Sequence, residues 1–209
     1  MIRAKEALER LRDGNRRFVA DTRRADSLTS QARRQALADG QEPFAVLLGC
    51  SDSRVPAEIV FDQGLGDLFV IRVAGNIVAP SQIGSVEFAV EQFGTRLVVV
   101  LGHSMCGAIL ATLDELQRPD REQSRNMRSI VDRIRPSVET LLATDLRHDP
   151  QALVQQAIRA NIRVSTHQLR HGSAILEHWI ERDGLIVVGA EYSLETGIVD
   201  FFDGVPDTG

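Results

Sequence analysis

Four short runs of this chain are apolar at every position except Arg72, and stretches with helical patterning separate them. The runs cover residues 44–49, 68–73, 97–102 and 185–190. Strands that are apolar at every position, rather than at alternate positions, are typical of a parallel sheet with helices on both faces. We therefore predict an α/β fold, built on a mainly parallel sheet of four to five strands flanked by helices.

Residues that commonly begin or end helices delimit the segments between these runs. Gly40 and Gly94 are predicted C-caps, and Asp149-Pro150 predicts an N-cap followed by proline at the first helical position. Gly172 is predicted to break the last helical stretch, and the polar residues 117–127 are predicted to form a surface loop. The predicted helices cover residues 4–20, 28–39, 56–61, 80–92, 106–116, 128–144 and 150–182.

One amphipathic helix precedes the first strand and adds no strand of its own to the sheet. Its apolar stripe comprises Ala4, Leu8, Leu11 and Phe18. We expect this stripe to pack on a partner subunit, which favours at least a homodimer. The 209 residues suit a single domain, in which residues 1–40 form an amino-terminal helical arm and residues 41–200 form the α/β core.

Composition excludes several classes of partner. The formal net charge of -5 argues against a surface for nucleic acid or anionic membranes. No stretch approaches the ~20 apolar residues that cross a bilayer, and residues 1–6 lack the apolar segment of an export signal. We therefore expect a cytoplasmic protein. Its two cysteines make no disulfide framework, which leaves catalysis, metal binding or burial as their roles.

Both cysteines lie just after predicted strands. Cys50 follows residues 44–49, and His103 and Cys106 follow residues 97–102. Because the carboxyl ends of parallel strands meet at one edge of a sheet, we expect these side chains to converge. Zinc favours thiolate sulfur and imidazole nitrogen, and a catalytic zinc site keeps a fourth position for water or substrate. The sequence therefore predicts a zinc site with Cys50, His103 and Cys106 as ligands.

Asp52 and Arg54 sharpen this prediction. Both share the alternation phase of Cys50 if the chain continues extended, which would direct all three side chains to one cavity. An aspartate beside zinc has two alternative roles. It can be the fourth metal ligand, or it can pair with arginine and accept a hydrogen bond from water on the metal. The residues leave both roles open, and we expect Asp52 and Arg54 to be functional.

These motifs resemble those of the β-class carbonic anhydrases. The similar segments are residues 50–55, residues 66–72 with 74–76, residues 102–107, and residues 15–18 in the first helix. The resemblance extends over nearly the whole chain. It implies zinc-dependent, reversible hydration of carbon dioxide to bicarbonate and a proton, with one Zn²⁺ per chain bound in the 41–200 core.

The resemblance also implies roles for individual residues. Cys50, His103 and Cys106 would bind zinc, while Asp52 and Arg54 would form a catalytic dyad that orients a zinc-bound hydroxide. A small apolar substrate pocket, partly contributed across a dimer interface, would use Gln41, Phe69, Ala74, Phe88 and Gly107. The family resemblance further implies a homodimer or homotetramer.

One departure from the family pattern concerns a second, inhibitory bicarbonate site of some bacterial members. That site uses a tryptophan three residues before the first ligand cysteine, together with an arginine and a tyrosine that Arg72 and Tyr192 resemble. Leu47 stands at the tryptophan position here, and the only tryptophan of the chain is Trp179. We therefore expect the inhibitory site to be absent or weak.

Other functions stay open at this point. The same scaffold could hydrolyse a carbon dioxide analogue such as carbonyl sulfide or carbon disulfide, depending on pocket access. A structural zinc protein or a bicarbonate-responsive binding module would need a fourth permanent ligand, for which Asp52 is available. A thiol oxidoreductase is disfavoured because the chain has no Cys-x-x-Cys pair. No proton shuttle is identifiable in sequence among His148, His167, His171 and His178.

Overall fold

The computed structural model describes residues 2–24, 29–118 and 124–206. Its helices are α1 (Ala4–Val19), α2 (Gln31–Ala36), α3 (Ala57–Val60), α4 (Pro80–Phe93), α5 (Gly107–Gln117), α6 (Arg125–Leu142), α7 (Pro150–His171) and α8 (Ala174–Arg182). Its strands are β1 (Ala45–Gly49), β2 (Leu68–Arg72), β3 (Leu97–His103), β4 (Ile186–Tyr192) and β5 (Val199–Asp203), and short 3₁₀ turns cover Ala74–Asn76 and Asp145–His148. Within these ranges, no helix has both the length and the apolar character needed to cross a membrane.

The strands form one sheet in the order β2-β1-β3-β4-β5. β1 pairs in parallel with β2 and β3, and β3 pairs in parallel with β4, whereas β5 is antiparallel to β4. The predicted α/β fold is confirmed. The four apolar runs became β1 to β4, while β5 has no continuous apolar run because Asp200 and Asp203 interrupt it. Since β1 to β4 share one direction, their carboxyl ends lie along a single edge of the sheet.

The sheet has a separate apolar core on each face, since successive side chains of a strand point to opposite sides. On one face, Leu48 and Val100 pack with residues of α4 to α8. On the other face, Leu47 and Val99 pack with residues of α1 and α3. This two-sided burial explains why the central strands are apolar at every position.

Helix α1 covers the second face of its own sheet. Ala4, Leu8 and Leu11 are buried there, and Phe18 packs partly buried against the same cluster. The expectation that this stripe packs on a partner subunit is therefore corrected. Strands that are apolar on both sides leave a second face that needs a cover, and α1 and α3 both contribute to it.

The second helix is shorter than the sequence predicted. α2 ends at Ala36 with Leu37 as its C-cap, so Gly40 lies beyond the helix and does not cap it. Its amino-terminal limit is the hydroxyl of Ser30, which accepts a hydrogen bond from the backbone of Arg33 at 3.2 Å. The predicted start at residue 28 lies outside the described residues.

A helix also replaces the end of the predicted loop 117–127. α6 begins at Arg125, because the Ser124 hydroxyl caps it by accepting a hydrogen bond from a backbone N–H. Residues 119–123 of that loop lie outside the described residues. The predicted break at Gly172 is confirmed, since α7 ends just before it and α8 begins two residues after it.

The close approach of α1 to the end of α3 depends on Gly14. A Cβ at this position would lie 1.7 Å from the carbonyl oxygen of Phe61, the C-cap residue of α3. We expect Gly14→Ala to push α1 away from α3 and to lower the free energy of unfolding by about 2 kcal/mol or more. Chemical denaturation followed by circular dichroism measures this change.

Gly84 in α4 provides the matched control. A Cβ there would meet nothing within 4 Å, and the residue is exposed. Gly84→Ala should therefore raise the free energy of unfolding by about 0.5–1 kcal/mol, because alanine restricts the unfolded chain. Equal stability of the two variants would contradict the packing of α1 described here.

Candidate metal centre

Three potential metal ligands meet at the edge formed by the carboxyl ends of β1 and β3. Cys50 directly follows β1, His103 is the last residue of β3, and Cys106 is the N-cap residue of α5. Their ligand atoms all lie within 4.8 Å of one another, and all three residues are buried. The convergence predicted from the sequence is confirmed.

The His103 ring presents one free nitrogen to this cluster. Its Nδ1 lies 2.9 Å from the carbonyl oxygen of Ser104. A carbonyl oxygen can only accept, so Nδ1 carries the proton and Nε2 keeps its lone pair. Among the described residues, the buried Nε2 has no hydrogen-bond partner. Such an unpaired nitrogen beside two thiols fits a metal ion, because burial without a partner would otherwise be costly.

The two thiols favour a cation between them. Cys50 Sγ and Cys106 Sγ lie 4.0 Å apart, as free cysteines. A hydrogen bond from Cys106 lowers the pKa of Cys50, with further help from the N–H of Gly75. The same hydrogen bond and burial raise the pKa of Cys106. Two adjacent thiolates repel each other, so both ionise together only when a cation compensates their charge.

Backbone groups support each sulfur. The N–H of Gly75 donates to Cys50 Sγ at 3.4 Å, and Gly75 adopts a φ of 72° that favours glycine. Cys106 lies at the amino terminus of α5, where the N–H groups of Ala108 and Ile109 act to lower the pKa of its thiol. These donors favour thiolate sulfur at both positions, as metal binding requires.

Asp52 lies beside the cluster but is held by Arg54. The Arg54 guanidinium donates to both Asp52 oxygens, at 2.9 and 2.7 Å, and the Arg54 backbone N–H donates to one of them at 3.0 Å. Hydrogen bonding to Arg54 holds the pKa of Asp52 well below its usual range. Asp52 Oδ2 lies 3.9 Å from His103 Nε2. A charged carboxylate therefore borders the position where a fourth ligand would bind.

Arg72 fixes the loop that carries Cys50 and Asp52. Its Nε donates to the carbonyl oxygen of Cys50 at 3.1 Å, and its Nη2 donates to that of Asp52 at 2.7 Å. Sequence reasoning missed this role, because it considered Arg72 only for its resemblance to an arginine of the inhibitory bicarbonate site. The one signal in the sequence was its position at the end of β2, the strand that neighbours β1.

The structure brings only some of the pocket residues to the cluster. Ala74 directly precedes Gly75, which bonds Cys50, and Gly107 directly follows Cys106. Gln41 lies before β1, at the end of the sheet opposite to Cys50, near Leu37, Leu65 and Gly66.

Two further predicted pocket residues form an aromatic group with Phe93. The ring centroids of Phe69 and Phe88 lie 6.2 Å apart, and both rings lie about as close to that of Phe93. Phe88 is 51% exposed. Phe69 also packs against the core cluster that contains Cys50 and Cys106, whereas Gln41 lies at the other end of β1.

Comparisons with known proteins agree with this arrangement. The family model described as carbonic anhydrase matches residues 45–199. "Carbonic anhydrase 2" of Mycobacterium tuberculosis is 38% identical over 203 residues, covering 97% of this chain and 95% of that protein. A carbonic anhydrase of Pseudomonas aeruginosa is 34% identical, covering 92% of this chain and 86% of that protein. A crystal structure from a study of two tetrameric β-carbonic anhydrases of Sordaria macrospora aligns with a TM-score of 0.72 at 25% identity, covering 81% of this chain and 85% of that one.

The metal content of histidine variants tests the cluster. His103→Ala removes one of the three ligands, and we expect the variant to lose most of the tightly bound metal. The measurement is elemental analysis after passage over a chelating resin. His178→Ala is the control, since His178 is exposed and lies 3.7 Å from Asp183, away from the cluster. Full retention of metal by His103→Ala would contradict the assignment.

A second test concerns the support given by Arg72. Arg72→Met removes both donors to the loop while keeping an aliphatic side chain of similar length. Residues that orient metal ligands typically contribute 10–100-fold to affinity, so we expect metal release to a chelating dye to be about tenfold faster. Arg96→Met, at an exposed residue before β3, is the control. Equal release rates in the two variants would show that Arg72 does not hold the loop.

Proposed function

Because this chain belongs to the β-class carbonic anhydrase family, we propose that it catalyses the zinc-dependent, reversible hydration of carbon dioxide to bicarbonate and a proton. The observation that carries the proposal is the buried Cys50–His103–Cys106 cluster, with a free His103 Nε2, beside the Asp52–Arg54 pair. The ligand set leaves a position for water, as catalytic rather than structural zinc sites do.

We propose Zn²⁺ as the cofactor, one per chain. Two sulfurs and one imidazole nitrogen are the donors that zinc prefers over magnesium or calcium. Zinc held by these three residues would lower the pKa of a bound water molecule and would so supply the nucleophile for attack on carbon dioxide. The hydrogen bond from His103 Nδ1 to Ser104 keeps the other ring nitrogen directed at the metal position.

Asp52 would accept a hydrogen bond from the attacking water and would not be a permanent metal ligand. A carboxylate with a low pKa stays ionised at neutral pH and can accept a hydrogen bond at Oδ2. Arg54 would hold that carboxylate away from the metal position through its two side-chain hydrogen bonds. If this pair breaks, Asp52 becomes free to occupy the fourth ligand position and to exclude water. We propose that Arg54 thereby keeps the site open.

The substrate pocket would be completed by a second chain. Phe88 is half exposed next to Phe69, and Gln41 lies far from Cys50 within one chain. Carbon dioxide is small and uncharged, so an apolar wall suffices to hold it. We propose a homodimer or homotetramer, which agrees with the tetrameric β-carbonic anhydrases named among the similar structures.

We propose that residues 1–209 form one domain, with residues 41–200 as its zinc-binding core. The residues that match the family, 45–199, lie inside this range.

We also propose a cytoplasmic location. A reducing compartment suits a site that needs two thiolates, because free thiols 4.0 Å apart would be open to oxidation elsewhere.

Stopped-flow hydration of carbon dioxide, with metal content measured on the same sample, tests the proposed function. We expect the zinc-loaded parent to be active and Asp52→Asn to keep its zinc. Turnover of that variant should fall about a hundredfold, because it loses the charged acceptor for the proton of water. Asp183→Asn, at a surface contact with His178, is the matched control and should keep full activity.

The same experiment can also contradict the proposed mechanism and reaction. Full activity of Asp52→Asn would remove Asp52 from the mechanism. If the zinc-loaded parent releases sulfide from carbonyl sulfide but does not hydrate carbon dioxide, hydrolysis of carbonyl sulfide would replace the proposed reaction.

The activity should also depend on pH. Two thiolates make zinc a weaker acid than three imidazoles would, so we expect turnover to rise about tenfold between pH 6.5 and pH 8.5. A flat profile over that range would contradict this account.

A further inference from the structure

Two histidines lie close together on the exposed side of α7. His167 and His171 are one helical turn apart, and both are exposed. Their ring centroids lie 4.6 Å apart, with an angle of 51° between the ring planes. Residues at i and i+4 are neighbours on a helix surface. This spacing lets both rings reach a common point above the helix.

The separation of the rings matches two imidazoles bound to one metal ion. A metal–nitrogen distance of about 2.1 Å puts the ion about 3.2 Å from each ring centroid. At a nitrogen–metal–nitrogen angle of about 90°, the centroids are then about 4.5 Å apart, and at a tetrahedral angle about 5.2 Å apart. The observed 4.6 Å falls within this range.

The positive charges nearest along the helix are engaged elsewhere. The Arg170 guanidinium donates to Asp203 at 2.7 Å and to the carbonyl oxygen of Val187. The Arg163 guanidinium lies 5.1 Å from the ring centroid of Phe202. Both cations therefore have partners at the sheet, which reduces the repulsion that a bound metal ion would meet.

We propose that His167 and His171 form a second metal site, which chelates one divalent transition-metal ion per chain through two imidazole nitrogens. Imidazole suits nickel, copper and zinc. The ion would keep open positions for water, since only two protein ligands reach it. The site does not depend on the proposed function: His167 and His171 are exposed, whereas Asn161 and Ser165, through which α7 bonds the turn that supports Cys50, are buried.

Calorimetric titration of the zinc-loaded, tag-free enzyme with Ni²⁺ alone tests this site. The protein is first passed over a chelating resin to remove loosely bound metal. In the titration that follows, we expect one Ni²⁺ to bind per chain. His171→Asn should weaken this binding about a hundredfold, because a single imidazole loses the advantage of two linked ligands. His178→Asn removes a different exposed histidine and should leave Ni²⁺ binding unchanged. Carbon dioxide hydration should be the same in all three proteins.

A rearranged variant separates chelation from the mere number of histidines. His171→Asn combined with Gln168→His keeps two histidines on exposed positions of α7, but at adjacent residues that point in different directions. We expect this variant to bind Ni²⁺ as weakly as His171→Asn. Equal Ni²⁺ affinity of the parent and either variant would overturn the proposal, as would the absence of any Ni²⁺ binding by the parent.

Discussion

The parallel pairing of β1 with β3 is the interaction on which the metal centre depends. The register places Gly49 opposite Leu101, so Cys50 and His103 leave the same edge of the sheet within one residue of each other. Cys106 then reaches the cluster from the start of α5. No local segment contains the site. Folding of the sheet alone brings together ligands that are 53 residues apart, and metal binding would stabilise that pairing in return.

Hydrogen bonds between side chains and backbone groups hold the loops around the cluster in place. Ser104 shows this most clearly. Its carbonyl accepts from the His103 ring, its N–H donates to the carbonyl of Tyr192, and its hydroxyl accepts from the N–H of Leu194. The orientation of a metal ligand is therefore tied to the loop after β4. Arg72 does the same for the loop after β1.

The sequence allowed prediction of features that repeat locally. Continuous apolar runs identified β1 to β4, and strand-end positions identified Cys50, His103 and Cys106. Features that depend on contacts between segments distant in the sequence could not be predicted. The direction of the α1 stripe depends on an uncovered sheet face, and the contacts of Arg72 depend on carbonyls of the loop after β1. β5 was missed because its edge position tolerates aspartates that a central strand would exclude.

Metal binding would need only a single chain, whereas substrate binding would need the assembled oligomer. The three metal ligands and the Asp52–Arg54 pair are complete within one chain. In contrast, the predicted pocket residue Gln41 lies at the opposite end of β1, and Phe88 is exposed. If the proposed pocket forms across an interface, a separated chain would still hold its zinc but would lack the apolar wall for carbon dioxide. Association would then control turnover without changing the metal centre.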